Sequence, residues 1–259
     1  VGFDVSSVTS TGRYWNQSSP LTSAGALNPS TLRFQAWKAI MPERRHAGDR
    51  ARRVLNFMVA LFLIILTAPL MLTIAVLIRA TSSGPAVYVQ PRVGIDRRRD
   101  RGDGSLNPRR LFDYGGQIFT IYKFRTMYVA PPNAAQTWAS DADPRITPVG
   151  RVLRSFRLDE LPQLFNVLKG DMNIVGPRPE QPEIFADLSE DLSHYRARQR
   201  VLPGITGLAQ VSLAYDTDLD SVRRKVKMDL EYIRRRSAAE DLVIMAKTMP
   251  VMVLRKGSK

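Results

Sequence analysis

The strongest feature in the pattern of apolar and polar positions is one run, VLNFMVALFLIILTAPLMLTIAVLI over residues 54–78, which carries no charged side chain. At about 1.5 Å per residue, a helix of about 25 residues reaches past the roughly 30 Å hydrocarbon core of a bilayer. Pro69 divides the run into arms of about 15 and 9 residues, neither able to cross alone, because proline removes a backbone donor and crowds the preceding turn. Arginines stand on both flanks: Arg44, Arg45, Arg50, Arg52 and Arg53 before the run, and Arg79, Arg92, Arg97, Arg98 and Arg99 after it. Positive charge holds flanks on the cytoplasmic side. Two basic flanks therefore predict a re-entrant helix-break-helix that enters and leaves through one leaflet, broken at Pro69, and a kinked single-pass helix is the competing reading.

The rest of the chain is more finely divided. Residues 1–43 are rich in Ser, Thr, Gly, Asn and Pro without a sustained period, which predicts a flexible polar extension and no signal peptide. Residues 96–110 (DRRRDRGDGSLNPRR) read as a basic loop facing solvent or lipid headgroups. Residues 117–127 (QIFTIYKFRTM) alternate loosely between β-branched or aromatic and polar positions, the pattern of a strand running into a turn. Helical patterns follow over 149–156, 161–168, 181–192 and 219–236, punctuated by Pro and Gly. Residues 242–254 are apolar on most sides but too short to span, so they pack on the domain or lie in the membrane interface. The expected organisation is a polar extension (1–43), a basic flank with the membrane hairpin (44–84), and a cytoplasmic domain of α/β class, mostly helical, with interfacial amphipathic C-terminal helices (85–259).

Composition narrows the chemistry. There is no cysteine and there are two histidines, His46 and His194, which excludes disulfides, thiolate nucleophiles, thiolate zinc sites, iron–sulfur clusters and multi-histidine metal centres. Any metal would be a hard cation held by carboxylate and phosphate oxygens. The net charge of +14, from 38 Lys+Arg against 24 Asp+Glu, suits phosphate groups, anionic lipid headgroups or nucleic acid. No zinc, helix-turn-helix or RNA-binding signature accompanies it, so nucleic acid is not an expected partner.

The densest cluster of reactive residue types lies in RSFRLDELPQLFNVLKGDMNIVGPRPE, residues 154–180. Leu161, Leu164, Phe165 and Leu168 fall at i, i+3, i+4 and i+7, one apolar helix face, with Pro162 near the first helical position and Gly170 as the stop. That places Asp159 and Glu160 at a helix N-terminus, where free N–H groups and the helix dipole favour anions. Two adjacent carboxylates point in different directions, so one can attack phosphorus while the other binds a cation or moves a proton. Arg178, between Pro177 and Pro179, sits on a restricted backbone that aims its guanidinium, as a phosphate clamp requires. Taken one at a time, an acidic pair is more often a helix cap and such a tetrapeptide a surface turn.

Taken together, the blocks resemble the bacterial sugar transferase family, the monotopic phosphoglycosyl transferases. The similarity spans about residues 50–255 and rests on the order of the apolar run with Pro69, Gln90-Pro91-Arg92-Val93-Gly94, Lys123-Phe124-Arg125-Thr126-Met127, Asp159-Glu160-Leu161-Pro162-Gln163, Asn166 to Met172, Val175 to Pro179, Pro203 to Gln210, and Asp229 to Tyr232. The resemblance implies transfer of a sugar-1-phosphate from a UDP-sugar to a polyprenyl phosphate such as undecaprenyl phosphate, with release of UMP, at the cytoplasmic face of a bacterial inner membrane. It implies Asp159 as the nucleophile of a covalent phosphosugar intermediate, Glu160 as part of the acid/base apparatus, and Mg²⁺ held by Asp159 and Glu160. Lys123, Arg125, Arg154, Arg178 and Asp229 match further family positions around the substrates, and a homo-oligomer is compatible with it.

The sequence departs from the family pattern in three places. Leu202 replaces an arginine common before the Pro-Gly of the 203–207 block, Ser212-Leu213-Ala214-Tyr215 stands where many members have Gly-Arg, and Ala68 precedes Pro69 where a hydroxyl residue is common. Two of these fall where contacts to the sugar and nucleotide are expected; none touches Asp159, Glu160 or Arg178. A non-enzymatic single-pass anchor with a basic, lipid- or partner-binding domain also accounts for the charge and the apolar run, but it leaves the ordered motifs unexplained. A glycosyltransferase that moves the sugar without its phosphate would release UDP instead of UMP.

Overall fold

The computed structural model describes residues 48–96, 116–129, 143–192, 194–213 and 219–253; the expectations for 1–43, for the basic segment beyond residue 96 and for Ala214-Tyr215 lie outside them. The described residues are mostly helical, with two small sheets among them.

The apolar run forms helix α1, Asp49–Thr81, 33 residues long, and by length and composition it could cross a membrane. The helix runs through Pro69 without a non-helical residue, in place of the two separated arms expected from the sequence. Proline withholds only one N–H, and the threonine hydroxyls on either side, Thr67 to the Leu63 carbonyl (2.6 Å) and Thr73 to the Pro69 carbonyl (2.9 Å), add bonds one turn back along the helix. Burial is uneven along α1. Arg52, Asn56 and Ala60 are buried near its start and Ile74 and Ile78 near its end, whereas Phe62, Ile65, Leu66, Leu70 and Leu72 in the middle are exposed. The start is held by a buried polar cluster: Arg52 donates to Asp241 (3.1 Å) and Tyr232 (2.5 Å), and the Asn56 carboxamide accepts from the Ile174 amide (2.7 Å). The end packs Ile74 and Ile78 on Phe124 and Leu153.

Strands β1 (Val87–Val93) and β2 (Ile118–Phe124) pair antiparallel, with Tyr88 opposite Lys123 and Arg92 opposite Phe119. Helix α2 (Pro148–Ser155) begins with Pro148 at its first position, and the Thr147 hydroxyl accepts from the Gly150 amide at 2.9 Å. A side chain at Gly150 would collide with the Thr126 carbonyl, so glycine there lets α2 lie directly on the turn after β2.

A single 3₁₀ turn, Leu158–Glu160, precedes helix α3, Gln163–Lys169. The acidic pair therefore occupies its own turn, and Pro162 is the cap of α3 instead of its first helical residue. The buried face of α3 is Gln163, Leu164, Asn166 and Val167, while Phe165 is exposed, unlike the leucine–phenylalanine face the spacing predicts. The cause is Asn166, whose carboxamide donates to the Thr120 carbonyl (2.7 Å) and accepts from the Tyr122 amide (3.1 Å), which turns that residue and its neighbours inward.

Strand β3 (Asn173–Val175) pairs in parallel with β4 (Gly204–Thr206), the crossover being helix α4 (Pro182–Asp191) and a 3₁₀ turn, Tyr195–Arg200. The 203–207 block, expected as a tight connection, supplies β4, and the backbones of Gly176 and Gly204 approach so closely that a β-carbon on Gly204 would strike the Gly176 nitrogen. Helices α5 (Leu208–Ser212), α6 (Leu219–Arg235) and α7 (Ala238–Val253) complete the described chain.

Candidate active site

Three elements converge on the acidic turn. Arg157 enters it with φ 55°, a left-handed conformation rare outside glycine. β2 carries Lys123, whose ammonium lies 3.3 Å from Glu160 Oε1, and the segment after β3 carries Arg178, whose Nη2 lies 2.8 Å from the same oxygen. Glu160 is 8% exposed. Burial alone would raise its pKa, but Arg178 and Lys123 outweigh burial and hold the carboxylate ionised, well below the usual range.

Asp159 is in the opposite condition. It is partly buried, and among the described residues no group makes a hydrogen bond or an ion pair with its carboxylate. Burial, reinforced by the charge of Glu160, pushes its pKa up to about 6, against the pull of Lys123, Arg178 and Arg154. Lys123 is itself half-buried beside Glu160, and desolvation lowers its pKa despite that partner. The turn thus presents one carboxylate locked between two cations and another left open, basic enough to act and largely ionised at neutral pH. Such a pair can hold an anionic group on its cations and attack it with the free oxygen.

Of the residues singled out in the sequence, the structure brings Asp159, Glu160, Lys123 and Arg178 together. Arg154, at the end of α2, acts on Asp159 through its charge. Arg125 turns elsewhere: it is buried and donates to the Ser82 carbonyl (2.9 Å), the Ser82 hydroxyl (2.8 Å) and the Ser83 carbonyl, closing the end of α1. Asp229, 2% exposed on α6, pairs with Arg198 at 2.8 Å and reaches the Arg178 segment only through it. Pro69 lies within α1, in the stretch whose apolar side chains are exposed.

Sequence reasoning did not single out Arg198, which sits in the 3₁₀ turn before β4 and donates to the Arg178 carbonyl at 3.0 Å. It also missed Asn166 as a partner of β2. Neither falls in a periodic pattern; the one available signal for Arg198 is Tyr195 three residues earlier, whose hydroxyl it meets at 2.6 Å.

The described residues contain no group of three or more His, Cys, Asp or Glu able to hold a metal. The hard oxygens of Asp159 and Glu160 nevertheless suit Mg²⁺, which takes one or two carboxylates and completes its shell with phosphate and water.

The family model described as bacterial sugar transferase matches residues 47–255. A UDP-N-acetylgalactosamine-undecaprenyl-phosphate N-acetylgalactosaminephosphotransferase of Aeromonas hydrophila is 38% identical over 208 residues, 80% of this chain and 45% of its own length. A UDP-glucose:undecaprenyl-phosphate glucose-1-phosphate transferase of Caulobacter vibrioides is also 38% identical, over 214 residues, 82% of this chain and 73% of its own. The exopolysaccharide production protein ExoY of Rhizobium meliloti is 33% identical over 229 residues, 83% of this chain and 90% of its own. This chain thus spans less than half the length of the Aeromonas relative and most of the length of the other two.

Proposed function

This chain belongs to the bacterial sugar transferase family, and on that premise we propose that it transfers a sugar-1-phosphate from a UDP-sugar to undecaprenyl phosphate, releasing UMP and starting assembly of an exopolysaccharide, O antigen or related glycan. The observation that carries this reading is the partly buried carboxylate of Asp159, without a hydrogen-bond or ion-pair partner among the described residues, beside a Glu160 whose Oε1 is held by both Lys123 and Arg178.

The step follows from that asymmetry. An Asp159 oxygen attacks the sugar-bearing phosphorus of the donor; the new bond is O–P, and the bond to the bridging oxygen breaks, so that UMP leaves with the electron pair. An oxygen of the acceptor phosphate then attacks the same phosphorus, frees the Asp159 carboxylate and yields a lipid diphosphate sugar. Two phosphate anions repel each other, and the covalent intermediate separates their encounters in time. Arg178 and Lys123 meet at one point and place positive charge where the phosphate oxygens of either substrate collect. Mg²⁺, held by Asp159 and Glu160 together with substrate phosphate, would supply further charge neutralisation.

The acceptor is a membrane lipid, and α1 supports a site at its headgroup level. Both ends of α1 pack against one folded body while the apolar middle is uncovered. A helix crossing the roughly 30 Å hydrocarbon core would carry one end away from that body, so the packing favours a re-entrant arrangement, and the arginines on both flanks support the cytoplasmic face of the inner membrane. The absence of native cysteine makes the test direct: single cysteines at Gly48 and Ser83 label from the same side for a re-entrant helix and from opposite sides for a spanning one.

The relatives carry N-acetylgalactosamine and glucose in their names at equal identity to this chain, so overall similarity does not choose the sugar. Solubilised protein given Mg²⁺, undecaprenyl phosphate and a panel of UDP-sugars should release UMP with one of them. EDTA should stop the release and excess Mg²⁺ restore it; release of UDP, or full activity in chelator, would refute the corresponding part of the reading.

A further inference from the structure

The segment 176–180 that carries Arg178 has two prolines and is held mainly through its carbonyl oxygens. Four successive carbonyls are taken: Pro177 by the Gly204 amide (2.9 Å), Arg178 by Arg198 Nη2 (3.0 Å), Pro179 by Arg92 Nη1 (3.1 Å) and Glu180 by the Val93 amide (2.9 Å). The outer two belong to neighbouring strands, and the inner two to guanidinium groups.

Of those two arginines, Arg198 is the more completely fixed. Its side chain is 4% exposed. Nε donates to Asp229 (2.8 Å), Nη1 to the Tyr195 hydroxyl (2.6 Å), and Nη2 to the Arg178 carbonyl, while the guanidinium lies 4.8 Å from the centre of the Tyr195 ring. Glu180, 3.7 Å from Nη1, is shared with Lys225 at 3.2 Å. Every nitrogen of the fork is therefore engaged, and one of them grips the backbone of the residue whose side chain meets Glu160.

We propose that Arg198 is a positioning residue for the transfer site: it reaches no reacting group, and it sets where the Arg178 guanidinium stands over Glu160 by holding the Arg178 carbonyl. The proposal rests on the transferase reading for its kinetic consequence and on geometry alone for its structural one. Lysine cannot reproduce it, because a single ammonium does not span Asp229, Tyr195 and the Arg178 carbonyl in the fixed directions of a guanidinium.

The test is a double-mutant cycle of Arg198→Lys and Arg178→Lys, read as UMP release with the donor that the wild type accepts. Arg198→Lys should lower kcat/KM about tenfold when Arg178 is present and less than about twofold when it is already lysine, since residues acting through one another are not additive. The loss in Tm caused by Arg198→Lys should be equal in both backgrounds, which a merely structural role would mirror in activity. Equal fold-losses of activity in the two backgrounds would overturn the proposal. Tyr195→Phe, which removes one hydroxyl from the clamp, should give a smaller loss with the same dependence on Arg178, and it serves if Arg198→Lys folds poorly. The exposed Arg223→Ala should leave the rate unchanged. A crystal structure of Arg198→Lys or Tyr195→Phe without substrate decides the geometry separately. Displacement of Arg178 from its 2.8 Å contact with Glu160 is expected, and an unmoved segment would refute positioning. If the wild type releases UMP from no donor, the transferase reading fails, and that structure still judges the clamp.

Discussion

Two aspartates in this protein sit among cations at opposite ends of its chemistry. Asp241, fully buried on α7, accepts from Arg52 at 3.1 and 3.3 Å, from Tyr232 at 2.8 Å and from Asn56 at 3.3 Å. Asp159, under the charge of Lys123, Arg178 and Arg154, has no hydrogen-bond or ion-pair partner among the described residues, while Glu160 pairs with Lys123 and Arg178. The first is a fastener, joining the start of α1 to α6 and α7. The second, in the function proposed above, is the reagent. A buried carboxylate whose lone pairs are all spoken for stabilises its surroundings and has nothing left to react with, whereas one kept open beside a neighbour that holds the cations retains its basicity and destabilises its site.

The comparison breaks most visibly at Asp159. Replacing it by asparagine should reduce UMP release by at least about 10³-fold, since the proposed nucleophile is removed; near-normal turnover in a clean preparation would end the assignment. The converse substitution, Asp241→Asn, should cost about 3 kcal/mol in stability, because it leaves the Arg52 charge buried without its partner. The rate per folded molecule should stay within about twofold, and a loss of turnover at unchanged Tm would show the fastener to be more than that.

The pH dependence sharpens the contrast further. Attack requires ionised Asp159, so with its pKa near 6 the single-turnover rate should be flat above pH 7 and fall about tenfold per unit below pH 6. A limb near pH 4 would show that the carboxylate is not held up by burial. The smallest expected effect runs the other way. A carboxyl whose folded pKa is raised destabilises the fold where it is ionised, a penalty fully present above the folded value and relieved as pH falls toward the unfolded one. Asp159→Asn should therefore raise stability by about 1–2 kcal/mol at pH 7 and by nothing below about pH 4, measured as Tm across that range.

Much of this site was legible in the sequence because its parts are local. The Asp159-Glu160 pair, the proline-flanked Arg178 and the strand bearing Lys123 each announce themselves within a few residues, and Lys123 and Arg178 meet on Glu160 beside Asp159. The helices over 148–155, 182–191 and 219–235 likewise follow their periodicity. What was not legible depends on contacts across the chain. β1, β3 and β4 are short or lack clean alternation and exist through partners 20 to 40 positions away. Arg125 looked like a phosphate ligand because a basic residue after a strand can turn to either side, and only the position of Ser82 and Ser83 decides which. The face of α3 shifted because Asn166, polar and so assigned to solvent by pattern, is wanted inside by a strand.

That asparagine and Asn56 do the same work in two places. Each small sheet has a strand whose outer backbone groups would otherwise be open, and in each a helix offers one carboxamide to them: Asn166 to the Thr120 carbonyl and Tyr122 amide, Asn56 to the Ile174 amide. A carboxamide reproduces the donor and acceptor of a peptide group, so Asn166 serves β2 as a substitute strand one residue long, whereas Asn56 lends β3 its acceptor alone and donates to the Arg52 carbonyl and Asp241. Open strand edges template the addition of another chain. With helices occupying these positions, one edge of each two-stranded sheet has part of its backbone already bonded and offers that much less to a neighbouring molecule.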